Sequence, residues 1–210
     1  MISYIDRYFE NLNNSFSTID KESVKMLAEE IFNTWKRDGK IFVFGNGGSA
    51  ATSSHFVCDL SKMTIVEGAK KIKALSLSDN VPILTAWAND TNYSNIFREQ
   101  LLPLVEKNDL VIGISASGNS TNVLSALECA NELNVKTASL SGFDGGEISK
   151  ITGFPIVVYS KNMQIIEDLH SILTHSLSLE VKCMIEKYTN MSPLVDYVSS
   201  LPPYNIVLKA

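Results

Sequence analysis

Apolar residues recur every three or four positions over residues 2–16, where Ile2, Ile5, Tyr8, Phe9, Leu12 and Phe16 share one helical face. The spacing returns in Val24, Leu27, Ile31, Phe32 and Trp35, behind Asp20, a good N-cap, and it stops at Asp38-Gly39. The chain therefore opens with a helical hairpin (1–38), an arm of the kind that packs on another subunit. The pattern then shortens. IFVFG (41–45), KIKALSLS (71–78), DLVIGIS (109–115), KTASLSG (136–142) and FPIVVYS (154–160) are short apolar runs that read as strands. Helical patterns fill the gaps at 49–62, 80–89, 93–106, 119–133 and 145–151, and a long one rich in Ile and Leu covers 164–188. This alternation predicts the α/β class, a doubly wound five-stranded parallel sheet with helices on both faces. Residues 1–188 read as a single domain and 189–210 as a C-terminal extension, broken by three prolines and expected to wrap over a neighbour.

In such a sheet, ligands sit beyond the carboxyl ends of the strands. Two of those ends carry unusual chemistry. Gly45-Asn46-Gly47-Gly48-Ser49 lies between the first strand and its helix, and glycines there let backbone N–H groups approach an anion at a helix start. Ser115-Ala116-Ser117-Gly118-Asn119-Ser120-Thr121 follows the third strand, again at a helix start, and offers four hydroxyls in seven residues. Either loop alone is equally an ordinary turn with an N-cap; two on one sheet edge point to a phosphate. GNGGSA also matches the Gly-x-Gly-x-x-Ala spacing of dinucleotide sites, which need an acidic residue about 20 positions on, at the end of the second strand. Here that strand ends at Leu77-Ser78-Asp79, too far along, and a dinucleotide leaves the serine-rich loop unexplained.

Composition narrows the ligand further. The 210 residues are 45% hydrophobic and 20% charged, with a net charge of −5, so no basic footprint marks a nucleic-acid partner and any phosphate must be gripped locally. Three widely spaced cysteines, Cys58, Cys129 and Cys183, argue against a disulfide framework and for a reducing compartment. The opening residues lack the charged-then-apolar layout of an export signal and no run is long enough to span a membrane, so a cytoplasmic chain is expected.

Five motifs in order, GNGGSAATSSHF, AWANDTNYSNIF, GISASGNSTNV, LSGFDGGEIS and IIEDLHSILTH, resemble those of the phosphoheptose isomerases of the sugar isomerase (SIS) superfamily, over about residues 1–188. The resemblance implies a flavodoxin-like SIS fold, conversion of sedoheptulose 7-phosphate to a heptose 7-phosphate, and a homotetramer with active sites at subunit boundaries. It places sugar-phosphate contacts on Asn46, Gly47, Gly48, Ser49, Asp90, Ser115, Ser117 and Ser120, with Asn119 beside them. The family's threonine between the two serines is Ala116 here. It further implies a zinc or similar divalent site at His55, Asp59, Glu167 and His175, with Asp59 as catalytic base and His175 as its proton-transfer partner.

His55 and Asp59 stand four residues apart, on one helical face, so convergence of their side chains follows from periodicity as well. Two positions depart from the family. Its glutamate is Asp59, one methylene shorter, and a catalytic group misplaced by about 1 Å costs on the order of 10²-fold. Its glutamine is Glu167, which adds a negative charge; Glu167 also counts among the substrate contacts. Two histidines and two carboxylates are a sound donor set for zinc. Asp168 is a substitute ligand, and His170 reads as a structural hydrogen-bonding residue. Two other readings stay open: a non-catalytic SIS adaptor that only binds phosphosugars, and an isomerase of a different phosphosugar in polysaccharide synthesis.

Overall fold

The computed structural model describes residues 3–189; the expected extension at 189–210, apart from Thr189, and the position of Ile2 lie outside them. Helix α1 (Tyr4–Ser17) starts with a capping box in which Ser3 and Asp6 satisfy each other's backbone N–H groups. Helix α2 (Lys21–Lys36) is capped by Asp20, whose carboxylate accepts from the Glu22 N–H at 3.0 Å. The hairpin read from periodicity is present, and its sharp turn needs only Thr18 to Asp20.

Five strands follow: β1 (Lys40–Gly45), β2 (Lys73–Ser76), β3 (Leu110–Ser115), β4 (Lys136–Gly142) and β5 (Phe154–Val158). All pair in parallel, in the order β2-β1-β3-β4-β5. The connecting helices are α3 (Gly48–Cys58), α4 (Val81–Asp90), the single turn α5 (Arg98–Leu101), α6 (Thr121–Glu132) and α7 (Gly146–Ile151), and the chain closes with α8 (Met163–Tyr188). Along β1, Ile41 and Val43 enter a core shared with α2, α3 and α8, while Phe42 and Phe44 enter a second core against α4 to α7. Strands covered on both faces carry no polar alternation, which is why these runs read as continuous apolar segments. At the end of α8, Tyr188 packs edge-on against the stacked pair Phe32 and Trp35, fastening the last helix to α2.

The elements differ from expectation in three places. β2 is half the predicted length because it is an edge strand, and its last ladder bond runs from the Leu77 N–H to the Val43 carbonyl. The Ser78 hydroxyl takes over, accepting from the Gly45 N–H and donating to the Gly45 carbonyl. The predicted helix at 93–106 is a 3₁₀ turn (Tyr93–Asn95) followed by α5, because Pro103 has no N–H with which to continue the ladder. The helix predicted over 49–62 widens into a π-helical turn over Asp59–Met63, a geometry concentrated at functional sites.

The strand order has a direct consequence. β1 and β3 are neighbours, with Gly45 beside Ile114 in register, but their chains continue through α3 and α6 to opposite sides of the sheet. The loops that leave them therefore open a crevice at the switch point, where open α/β sheets bind ligands.

Candidate active site

Four of the eight described α-helices begin with a side chain on their first free N–H groups. Ser3, Asp20, Asn80 and Asn162 do this for α1, α2, α4 and α8. Helices α3 and α6, which start at the crevice, have Gly47 and Ser120 at the N-cap and no side-chain cap bond. Neither helix start is thus covered by an N-cap side chain, and a helix start of this kind carries partial positive charge. Gly47 holds φ +54°, a left-handed conformation that costs a side-chain-bearing residue about 1 kcal/mol or more.

Across from it, the Ser115, Ser117 and Ser120 hydroxyls converge, Ser115 Oγ lying 3.0 Å from Ser120 Oγ and 3.4 Å from Ser117 Oγ. Asn46, Gly47, Gly48, Ser49, Ser115, Ala116, Ser117, Ser120 and Glu167 line one cleft. Among the described residues none that lines it is a Lys or Arg, so any anion it holds is held by dipoles. The two loops are tied together by a reciprocal amide pair. Asn46 Nδ2 donates to Asn122 Oδ1 and Asn122 Nδ2 donates back to Asn46 Oδ1, both at 2.8 Å, and the Tyr93 hydroxyl donates to the same Asn46 oxygen. The back of the second loop rests on bare backbone: Gly118, at φ +68°, touches Gly145 and Gly146, and its carbonyl accepts from the Ile148 N–H.

Beyond Gly48 the cleft continues into a pocket lined by His55, Glu167, Asp168, Ser171 and His175. His55 on α3 and His175 on α8 face each other with their Nε2 atoms 2.9 Å apart. Asp59 Oδ2 lies 3.5 Å from the first and 3.7 Å from the second. That oxygen is buried and has no hydrogen-bond partner. Ligand atoms placed tetrahedrally about a zinc ion at about 2.0–2.1 Å are roughly 3.3 Å from one another. The three spacings scatter about that value, and the unpartnered carboxylate oxygen is what a cation would satisfy. His55, Asp59 and His175 thus form a group that fits a metal ion.

Residues 7–142 match the model of the SIS domain. The chain is 39% identical to the probable phosphoheptose isomerase of Thermoplasma volcanium over 81% of its own length and 86% of that protein. It is 43% identical to a phosphoheptose isomerase of Helicobacter pylori over 74% and 78% of the two chains. This chain belongs to the phosphoheptose isomerase family of SIS-domain proteins. Among solved structures, phosphoheptose isomerase from Neisseria gonorrhoeae superposes with a TM-score of 0.77 at 28% identity, covering 84% of this chain and 96% of that one.

Not every residue expected from the phosphoheptose isomerase pattern joins the cluster. Glu167, the fourth of the expected metal ligands, is not part of the His–Asp–His group. Its carboxylate lies over Gly48 instead, at the boundary between cleft and pocket. Asp168, the substitute ligand, is engaged elsewhere: it accepts from the Tyr8 hydroxyl of α1 at 2.6 Å, a bond that pushes the Tyr8 pKa up to about 12. Asn119 turns away from the cleft, its side-chain oxygen accepting from the Glu147 N–H and its amide donating to the Ser117 carbonyl. Asp90, last residue of α4, is exposed and bonded to Asn89, and it lines neither pocket. His170 is structural as read, its Nε2 bonded to the Ser141 carbonyl at 3.1 Å.

Asn122 and Tyr93 went unread as site residues. Each looks like an ordinary polar residue of its own segment, and only the sheet order brings them to Asn46. Cys58, Cys129 and Cys183 are all free thiols. Among the described residues no helix is long and apolar enough to cross a membrane.

Proposed function

We propose that this chain is a cytoplasmic aldose–ketose isomerase that converts sedoheptulose 7-phosphate to D-glycero-D-manno-heptose 7-phosphate. The observation that carries this reading is continuity: the hydroxyl-rich cleft opens past Gly48 and Glu167 into the pocket lined by His55 and His175, and Asp59 Oδ2 lies 3.5 and 3.7 Å from those two imidazoles, on their far side. A molecule with an anionic ester at one end and a carbonyl at the other fits that polarity. The activity named for the T. volcanium and H. pylori relatives supports the substrate.

In this reading the N–H groups at the start of α3 and the hydroxyls of Ser115, Ser117 and Ser120 hold the ester. The far end of the sugar then reaches the carboxylate–imidazole pair. Asp59 takes a proton from the carbon bearing the hydroxyl, and His175 delivers one to the neighbouring carbonyl oxygen, leaving an enediol. Returning the proton to the other carbon, as the second oxygen loses its own, completes the isomerisation without any net loss of atoms. His55, Asp59 and His175 would hold a zinc or similar divalent ion, which supplies polarisation of the carbonyl and offsets charge as the enediol forms.

The assembly proposed is a homotetramer. Tyr4, Ile5 and Phe9 on α1 are 75%, 66% and 63% exposed, an apolar face suited to a neighbouring subunit. Two observations test the activity. Incubation with sedoheptulose 7-phosphate in heavy water is expected to place deuterium at C1 or C2, read by NMR. Asp59→Asn is expected to lower turnover at least about 10²-fold. Absence of exchange, or full turnover by that variant, would sink the proposed mechanism.

A further inference from the structure

Glu167 stands where the family has a glutamine, and as part of a phosphate site its position is a liability. A Cβ built on Gly48 would fall 2.4 Å from Glu167 Oε1 and 2.6 Å from Oε2, so the carboxylate rests directly on the glycine of the anion loop. The carboxylate has no hydrogen-bond or ion-pair partner among the described residues; the bond recorded at this residue runs from the Ser171 hydroxyl to its backbone carbonyl. None of the residues lining the loop cleft is cationic. An incoming phosphate ester thus meets neutral donors and one formal charge of its own sign. On its other side the same side chain lines the pocket of His55 and His175, where a cation fits.

We propose that Glu167 couples the two halves of the site: its carboxylate opposes an anion in the loops until a divalent cation beside His55, Asp59 and His175 offsets that charge. Cation and phosphate ester then bind with positive cooperativity, and the coupling is reciprocal, each raising the affinity for the other by one factor. Like charges a few ångströms apart in a partly dehydrated cleft make a coupling of about tenfold a conservative expectation. Glutamine has the same shape without the charge, so the coupling is a property of this chain's residue rather than of the cleft's outline. The proposal rests on the assignment of the two loops as a phosphate site.

The test is calorimetric titration of inorganic phosphate into the full chain, first stripped with a chelator and then loaded with one equivalent of zinc. Stripped Glu167→Gln is expected to bind phosphate about tenfold more tightly than the stripped wild type, and zinc to close most of that gap by strengthening the wild type. Equal affinity of the two stripped proteins overturns the proposal, and so does zinc strengthening both alike. Glu167→Ala should match Glu167→Gln; if only glutamine gains affinity, the gain comes from a new amide hydrogen bond and the charge argument fails. Ser120→Ala in the Glu167→Gln background tests the loops separately. Unchanged phosphate affinity there refutes the loop assignment. Weakened affinity, with no difference between wild type and Glu167→Gln, refutes only the role of Glu167.

Discussion

His170 shows how burial decides the chemistry of a single side chain. It is 1% exposed, its Nε2–H donates to the Ser141 carbonyl, and Nδ1 has no partner. Burial disfavours the charged ring and pushes its pKa down to about 4, against an ordinary value near 6.5. Between these values the unfolded chain binds the extra proton and the folded one does not, so stability is full above about pH 6.5 and falls as pH drops towards 4. The loss at this one group is on the order of 3 kcal/mol. Thermal denaturation across pH 4 to 7 should show that slope, and His170→Gln, which keeps a donor for Ser141 but cannot titrate, should flatten it. Gly48→Ala is the counterpart in the site. Its new methyl meets only the mobile end of Glu167, so the fold should survive while Glu167 is pushed aside. Circular dichroism should match the wild type, with catalytic efficiency down about tenfold or more. A structural part for His170 was readable from the chain, since the motifs left it no ligand role. The place of Glu167 was not, because residue type at a motif position says nothing of which of two adjoining pockets a flexible side chain enters.

Among the elements, the two loops were legible because their chemistry is local: glycine, serine and asparagine at strand ends advertise turns and free donors within a few residues. What holds the loops in register is not local. Asn122 sits 76 residues beyond Asn46 and is 1% exposed, and its amide pair with Asn46 is the cross-brace of the crevice. Asn122→Ala strands the Asn46 amide, which should cost about 1–3 kcal/mol in stability and raise KM for the phosphosugar more than it lowers kcat. Gly118→Ala is harsher. Its Cβ would come within 2.2 Å of the Gly145 carbonyl oxygen at a positive φ, and backbone on both sides cannot yield. A loss of about 2 kcal/mol or more, seen as a lower denaturation midpoint, should accompany loss of phosphate binding. The wide turn at Asp59–Met63 left no mark in the apolar spacing, which runs on through it.

For the molecule as a whole, strand–helix alternation was enough to imply a parallel sheet, since parallel neighbours need crossover helices. The order of strands was not implied, and it is the order that joins the loops of β1 and β3 and sets α3 and α8 side by side, so that His55 meets His175. The apolar face of α1 belongs to the same scale. If the chain forms the proposed tetramer, Phe9→Glu should leave the subunit folded and shift its mass in light scattering from that tetramer to smaller species; an unchanged mass would remove that helix from the interface. One last consequence follows from the lining of the proposed phosphate cleft, which among the described residues holds no Lys or Arg. Most proteins that capture anions do so with cations, and mobile ions in solution weaken them. In the proposed site, dipoles at contact range leave little for such ions to screen, and Glu167, the one formal charge in the cleft lining, repels the ligand. Raising ionic strength should therefore leave the apparent affinity for a phosphosugar level or improve it.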